Sequence, residues 1–130
     1  MASIFSKIVE GEIPCHKIHE DDHFLAFLDV FPLVKGHTLI IPKKEIDYFF
    51  DIDDKILGDM MVFSKKVAHA IKMTIPCTRI GVTVIGLEVP HAHIHLIPMN
   101  NVTEMNFSKE KLSFTSNELS KTALEIRANL

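Results

Sequence analysis

The stretch Pro90-His91-Ala92-His93-Ile94-His95-Leu96-Ile97-Pro98 alternates with a period of two. In an extended strand successive side chains point to opposite faces. His91, His93, His95 and Ile97 therefore share one face. Ala92, Ile94 and Leu96 share the other, where they can pack into a core. At a rise of ~3.3 Å per residue, neighbouring histidines stand ~6.6 Å apart and the outer two ~13 Å apart. The strand predicted over residues 92–99 is a rigid element bearing a row of imidazoles. Such a row can reach along an extended anion such as a phosphate ester.

Two chemistries suit the row, beside the plain reading of half-buried or surface histidines. Two imidazoles at i and i+2 can share a zinc ion at ~2.0–2.1 Å, but the outer pair is too far apart for all three to do so. A third ligand would have to come from elsewhere, and His37 is the obvious candidate. The other chemistry is catalysis at phosphorus. Imidazole is a good nucleophile near neutral pH, because its unperturbed pKa is ~6.5. One histidine can attack while a neighbour supports the phosphate charge or the leaving group.

Outward from this strand the chain alternates short elements. Ile4, Phe5, Ile8 and Val9 predict a short helix over residues 3–9, punctuated by Gly11 and Pro14. Residues 15–19 and 23–29, separated by Glu20-Asp21-Asp22, predict a hairpin. On its second strand Phe24, Ala26 and Leu28 share one face, and His23, Leu25, Phe27 and Asp29 the other. Residues 32–36 read as a loop and 37–41 as a strand stopped by Pro42. Ile56, Met60, Phe63, Val67 and Ile71 recur at helical spacing over residues 53–73, with Asp51 or Asp53 placed to cap the start. Residues 78–85 are rich in β-branched side chains and predict a strand, followed by a turn over 86–90. Residues 116–130 read as a closing helix. Hairpin strands with a long helix between them predict an α+β fold with an antiparallel sheet.

At 130 residues the chain is expected to form one domain. Hydrophobic residues at 47% and charged residues at 24% exclude disorder of the whole chain. Cys15 and Cys77, the only cysteines, exclude a disulfide scaffold and fit a reducing compartment. No apolar run approaches the ~20 residues of a membrane span, and no secretory leader pattern opens the sequence. The expected location is the cytoplasm. The net charge of -3, from 14 basic and 17 acidic side chains, lacks the basic excess of a nucleic-acid binder. Eight histidines stand out instead.

Residues 91–97 resemble the His-x-His-x-His-x-x signature of the histidine triad (HIT) superfamily. Ser3-Ile4-Phe5-Ser6-Lys7-Ile8-Val9 with Gly11-Glu12-Ile13-Pro14 is similar to the family's N-terminal segment. Phe27-Leu28-Asp29-Val30, followed by Gly36-His37-Thr38-Leu39-Ile40-Ile41-Pro42-Lys43-Lys44, is similar to its central block. The likeness covers about residues 3–100, and the nearest likeness is to the Hint-like branch. Residues 101–130 form a C-terminal extension without a specific motif, variable in the family and shaping access to the site.

The resemblance implies an antiparallel sheet with flanking helices, paired into a homodimer. It implies hydrolysis or nucleotidyl transfer at the α-phosphate of a purine nucleoside phosphoramidate, without metal or other cofactor. A dinucleoside polyphosphate hydrolase, or a nucleotide-binding interaction protein with little turnover, are the alternatives. His93 matches the family's nucleophile, which forms a nucleotidyl-histidine that water then releases. His95 would hydrogen-bond the phosphate oxygens. His91 would orient His93, partly through its backbone carbonyl, and His37 matches a further active-site histidine. Asp29 matches the aspartate that holds the ribose hydroxyls, as a carboxylate accepting from two adjacent hydroxyls should. Ile4, Phe5, Ile8, Phe27, Val30 and Leu39 match the apolar slot for the base.

Three departures from the family pattern carry expectations of their own. Ser3 and Ser6 replace a Cys-x-x-Cys that binds structural zinc in many relatives together with two histidines. Serine is a poor zinc ligand, so this zinc is expected to be absent. Glu88 stands three residues before the first triad histidine, where relatives offer a serine to the leaving group. A carboxylate there repels phosphate, so it either points elsewhere or favours a leaving group that carries an amine. Glu45 replaces a histidine that often follows Lys43-Lys44, and is expected to alter only the rim. Lys43 and Lys44 suit a solvated turn that can steer an anion. His16, His19, His23 and His69 read as structural or solvated.

Overall fold

Asp21 closes the first hairpin by accepting from the backbone N–H groups of His23 and Phe24, both at 2.8 Å. An aspartate that bonds its own following backbone stabilises a tight turn. The computed structural model describes residues 2–130. It orders them as α1 (Ile4–Val9), β1 (Lys17–Glu20), β2 (Phe24–Leu28), β3 (Thr38–Pro42), α2 (Asp54–Thr74), β4 (Arg79–Thr83), β5 (Ile94–Met99) and α3 (Ser116–Arg127). Short 3₁₀ turns lie at Phe49–Asp51 and Val102–Glu104.

The strands form one five-stranded sheet in the order β1-β2-β3-β5-β4. Every neighbouring pair is antiparallel. The fold is therefore the expected α+β sheet with flanking helices. Period two splits its side chains between two cores. Phe24, Ala26, Leu28, Ile40, Ile94 and Leu96 face α2 and α3, meeting Met60, Phe63, Val67, Ile71, Leu119 and Ile126. Leu25, Phe27, Leu39 and Ile41 face the other way, onto Phe5, Ile8 and Val9 of α1. Each large apolar side chain buried in this way contributes about 1.5–3 kcal/mol.

The helices start where capping side chains permit. Asp53 accepts from the Ile56 N–H and starts α2. Thr115 caps α3 by accepting from the Glu118 N–H. Ser3 caps α1 by accepting from Ser6. Each cap satisfies an N–H that the helix leaves without an internal partner. Among the described residues no helix is long and apolar enough to cross a membrane.

One correction concerns the histidine strand. The expected strand over residues 92–99 begins only at Ile94. The amides ahead of it are drawn elsewhere. His91 N–H donates to Val89 O at 2.8 Å, and Ala92 N–H donates to Ile46 O at 2.7 Å. His91 and His93 thus lie ahead of the sheet ladder, while His95 lies within it. The strand expected over residues 78–85 shortens similarly, to Arg79–Thr83.

Candidate active site

Antiparallel register sets Phe27 opposite Leu39, Leu39 opposite His95, and His95 opposite Thr83. Directly opposed residues share a face, so His95 lies on the α1 side of the sheet. Asp29 and His37 continue that face two residues beyond Phe27 and Leu39. Asp29 N–H donates to the His37 carbonyl at 3.0 Å and holds them side by side. Gly36, just before His37, has φ of +91°. A Cβ there would also approach Ile75 Cγ1 to 2.9 Å. Glycine is required at this bend on both counts.

Backbone groups dictate where the protons sit on four imidazoles. A neutral imidazole has one nitrogen that donates and one that accepts. Leu33 N–H points at His37 Nδ1 from 3.0 Å, so Nδ1 accepts and Nε2 carries the proton. His37 Nε2 lies 2.9 Å from His95 Nδ1 and donates to it. His95 then carries its own proton on Nε2. His91 Nε2 lies 2.7 Å from the Pro42 carbonyl, which can only accept. His91 Nδ1 therefore accepts, and its partner is Ser3 Oγ at 2.8 Å. His93 Nδ1 lies 2.7 Å from the His91 carbonyl, so it donates. The lone pair of His93 is left on Nε2.

Among the described residues no buried side-chain nitrogen or oxygen lacks a hydrogen-bond partner. The free Nε2 atoms of His93 and His95 therefore reach solvent. The two rings stand 4.9 Å apart, centroid to centroid. The arrangement presents a nucleophilic lone pair beside an N–H donor.

Burial keeps these rings neutral, because a charged imidazolium loses its hydration there. Desolvation, reinforced by His95 and Lys111, lowers His37 to about 3. Desolvation, with His93 and Lys111, lowers His95 to about 4. Burial also lowers His91 and His93, opposed by the hydrogen bonds to the Pro42 and His91 carbonyls. Asp29 shifts the other way. Desolvation raises it, against the Phe31 N–H bond and the Lys111 charge that lower it.

Asp29 Oδ1 accepts from Phe31 N–H at 2.9 Å, and Oδ2 lies 3.7 Å from His37 Nε2. Phe5 packs edge-on against Phe27 at 5.6 Å and against His93 at 5.0 Å. Phe5, Phe27 and Leu39 are buried and form a wall. Ile8 is half-buried against them, and Ile4 and Val30 are exposed. Glu88 is exposed, and its charge acts on both Asp29 and His93, raising each.

Two site neighbours carry no motif. Phe107 sets its ring edge-on to His95 at 4.8 Å and to His37 at 6.1 Å. Lys111 Nζ donates to the Phe107 carbonyl at 2.6 Å. The segment is tied down where Leu112 N–H donates to Pro32 O at 2.8 Å. The sole hint in the sequence is an aromatic alone in a polar run, Asn106-Phe107-Ser108-Lys109.

Asp29, His37 and His95 also bring their ligand atoms within 4.8 Å of one another. They do not fit a metal. A ligating imidazole nitrogen must be unprotonated, whereas the Leu33 N–H forces the His37 proton onto Nε2. The trio differs from the metal reading of the sequence, which joined His37 to adjacent triad histidines. Ser3 and Ser6, at the positions of the zinc-binding Cys-x-x-Cys of relatives, converge with two further side chains. Ser3, Ser6 and Glu45 meet His91, with Glu45 Oε1 accepting from Ser3 N–H at 2.6 Å and Ser6 Oγ at 2.7 Å. Three oxygens and one imidazole, already bonded to one another, do not make the N/S set that zinc favours.

The HIT domain family model matches residues 10–102. An adenosine 5′-monophosphoramidase of Saccharomyces cerevisiae is 42% identical over 98 residues, covering 75% of this chain and 62% of that protein. An uncharacterized HIT-like protein of Borreliella burgdorferi is 33% identical, covering 98% of this chain and 97% of its own length. Among solved structures, a Hit-like protein from Bartonella henselae superposes with a TM-score of 0.86 at 32% identity, covering 98% of this chain and 96% of that one. A zinc-bound histidine triad protein from Mycobacterium smegmatis superposes with a TM-score of 0.83 at 25% identity, covering 99% of this chain and 93% of that one.

Proposed function

The chain belongs to the HIT domain family, and from that premise we propose that it hydrolyses purine nucleoside phosphoramidates through a nucleotidyl-histidine. One observation carries the reading. His93 offers an unprotonated Nε2 beside the protonated Nε2 of His95, each state dictated by a fixed partner. His93 Nε2 attacks the α-phosphorus, and an N–P bond forms as the bond to the leaving nitrogen breaks. The leaving amine departs with a proton taken up from the medium. His95 Nε2–H donates to the phosphoryl oxygen, where negative charge grows in the transition state. Water then breaks the N–P bond, releasing the nucleoside monophosphate and free His93.

Asp29 is proposed to hold the ribose hydroxyls through oxygens that keep spare acceptor capacity. The exposed Ile4 and Val30, with Phe5, Ile8, Phe27 and Leu39 behind them, are proposed to receive the base. Glu88 favours an amine leaving group over an anionic one. Lys111 is the observation that favours a second reading, a dinucleoside polyphosphate substrate. Its charge acts on Asp29, His37 and His95 and would offset that of a polyphosphate.

A homodimer is part of the reading. β4 is an edge strand, and Val82 on it and Val84 and Ile85 just beyond its end are exposed. Open apolar edges invite pairing with another chain. The free Cys15 and Cys77 are in keeping with a cytoplasmic location.

The deciding experiment is hydrolysis of adenosine 5′-phosphoramidate by the metal-free protein and by His93→Ala, with diadenosine polyphosphate in competition. The reading expects AMP from the parent and none from the variant. Turnover that survives in His93→Ala overturns His93 as nucleophile. Preference for the dinucleotide moves the assignment to the second reading.

A further inference from the structure

The carbonyl that orients His93 lies outside the sheet. β5 begins at Ile94, so no ladder hydrogen bond fixes the His91 carbonyl. The Ala92 N–H of the same peptide, donating to Ile46 O at 2.7 Å, gives that carbonyl one anchor, and the ring of residue 91 supplies the other, because a misplacement of about 1 Å at a nucleophile costs roughly a hundredfold in rate. His91 is wholly buried, and its ring is gripped at both nitrogens. Nε2 donates to Pro42 O at 2.7 Å, and Nδ1 accepts from Ser3 Oγ at 2.8 Å. Ser3 is itself held from two sides. Its Oγ accepts from Ser6 N–H at 3.0 Å, and its N–H donates to Glu45 Oε1 at 2.6 Å. Ser6 Oγ donates to the same Glu45 oxygen at 2.7 Å.

We propose that Ser3, Ser6 and Glu45 are positioning residues, forming a metal-free latch that sets the orientation of His93 through His91. The latch joins three separate parts of the chain: the start of α1, the segment after β3, and the segment before β5. Its order of action is Glu45 to Ser3 and Ser6, Ser3 to the His91 ring, and the His91 carbonyl to His93 Nδ1–H. Glu45 is suited to the task. The Ser3 N–H and Ser6 hydroxyl pull its carboxyl down to about 2, so it stays an ionised acceptor at neutral pH. The expectation that Glu45 alters only the rim is thereby replaced by a role inside the molecule's working parts.

The inference rests on His93 as nucleophile, so its test has an arm that needs no turnover. In the full-length chain, Ser3→Ala, Glu45→Ala and Glu45→Gln are compared with the parent. The ¹⁵N signals of the His91 and His93 rings report which nitrogen carries each proton. AMP affinity and kcat on adenosine 5′-phosphoramidate are measured in parallel. Ser3→Ala and Glu45→Ala are expected to shift the His93 signals away from the pure Nδ1–H form. They are expected to lower kcat at least about tenfold while AMP affinity holds within about twofold. Glu45→Gln, which keeps an accepting oxygen, is expected to restore most of kcat.

Unchanged His93 signals in Glu45→Ala overturn the latch, even if Ser3→Ala fails to fold. So does a loss confined to AMP affinity. If the parent shows no turnover, the nucleophile reading fails while the ¹⁵N arm still decides the latch.

Discussion

Nε2 of His37 lies 2.9 Å from Nδ1 of His95, and the proton between them belongs to His37. The Leu33 N–H at 3.0 Å from His37 Nδ1 leaves no other assignment for a neutral ring. A backbone amide four residues before His37 thereby decides that His95 faces solvent as a donor. His37→Leu removes that instruction. His95 then takes either tautomer, and the buried Leu33 N–H loses its acceptor. The expected loss in kcat is about tenfold to a hundredfold, the worth of one hydrogen bond at a site of developing charge. Steady-state kinetics on the phosphoramidate check it, with His37→Gln, which retains a donor, recovering part of the rate.

The buried imidazoles make stability depend on pH. His37 is lowered from 6.5 to about 3 and His95 from 6.5 to about 4. Above pH 6.5 both rings are neutral folded or unfolded, and they add no slope. Below it the unfolded chain takes up protons that the folded chain refuses. Stability therefore falls as pH drops from 6.5 toward 4, by about 1.4 kcal/mol per pH unit for each ring. Asp29, raised by burial, opposes the fall only near the carboxylate range. Urea unfolding midpoints measured from pH 7.5 to 4.5 should be flat above 6.5 and decline below it. A midpoint that rises on acidification contradicts the neutral state assigned to the two buried rings.

Asp29→Asn tests the proposed role of Asp29 in holding the ribose, apart from the chemistry. Asp29→Asn keeps an oxygen for the Phe31 N–H but removes the charge that would accept from the ribose. AMP affinity is expected to fall about tenfold to a hundredfold, the range for a charge-assisted hydrogen bond. Calorimetry with AMP and with its 2′-deoxy analogue checks the partner. The parent should discriminate between them and the variant should not, since the lost interaction is shared.

Phe107 packs edge-on against the His37–His95 pair, with its ring 4.8 Å from that of His95. Phe107→Ala admits solvent. Because desolvation is the first cause that lowers His95, the variant should titrate His95 at higher pH, nearer to 6.5. NMR titration of the His95 ring reads this directly. An unmoved titration would show that Phe107 does not control the hydration of that ring.

The order of the cores was legible in the sequence because period two and period 3.6 are properties of local backbone geometry. Phe24, Ala26 and Leu28 fall on the α2 side and Leu25 and Phe27 on the α1 side, as alternation requires. Ile56, Met60, Phe63, Val67 and Ile71 mark α2 by their spacing alone, although Ile56 is only half-buried. The family was legible by resemblance alone, through the His-x-His-x-His stretch and the blocks around residues 3–14 and 27–44. Where the backbone leaves the ladder, local reading failed. His91 and His93 precede β5 because the Ala92 amide goes to Ile46, far away in sequence.

What the sequence by itself determined is which residue types stand in which alternating or helical pattern, and so which face each strand and helix can bury. Tertiary structure decided which nitrogen of His37, His91 and His95 carries a proton. That choice is made by the Leu33 amide, the Pro42 carbonyl and the Ser3 hydroxyl, the last two brought to His91 across 49 and 88 residues of chain. It also decided that Phe107 covers His95 and that Glu45 reaches Ser3. The physical reason is the same in each case. A hydrogen bond or a ring contact acts over a few ångströms in space, and no periodicity along the chain encodes which distant group will arrive there.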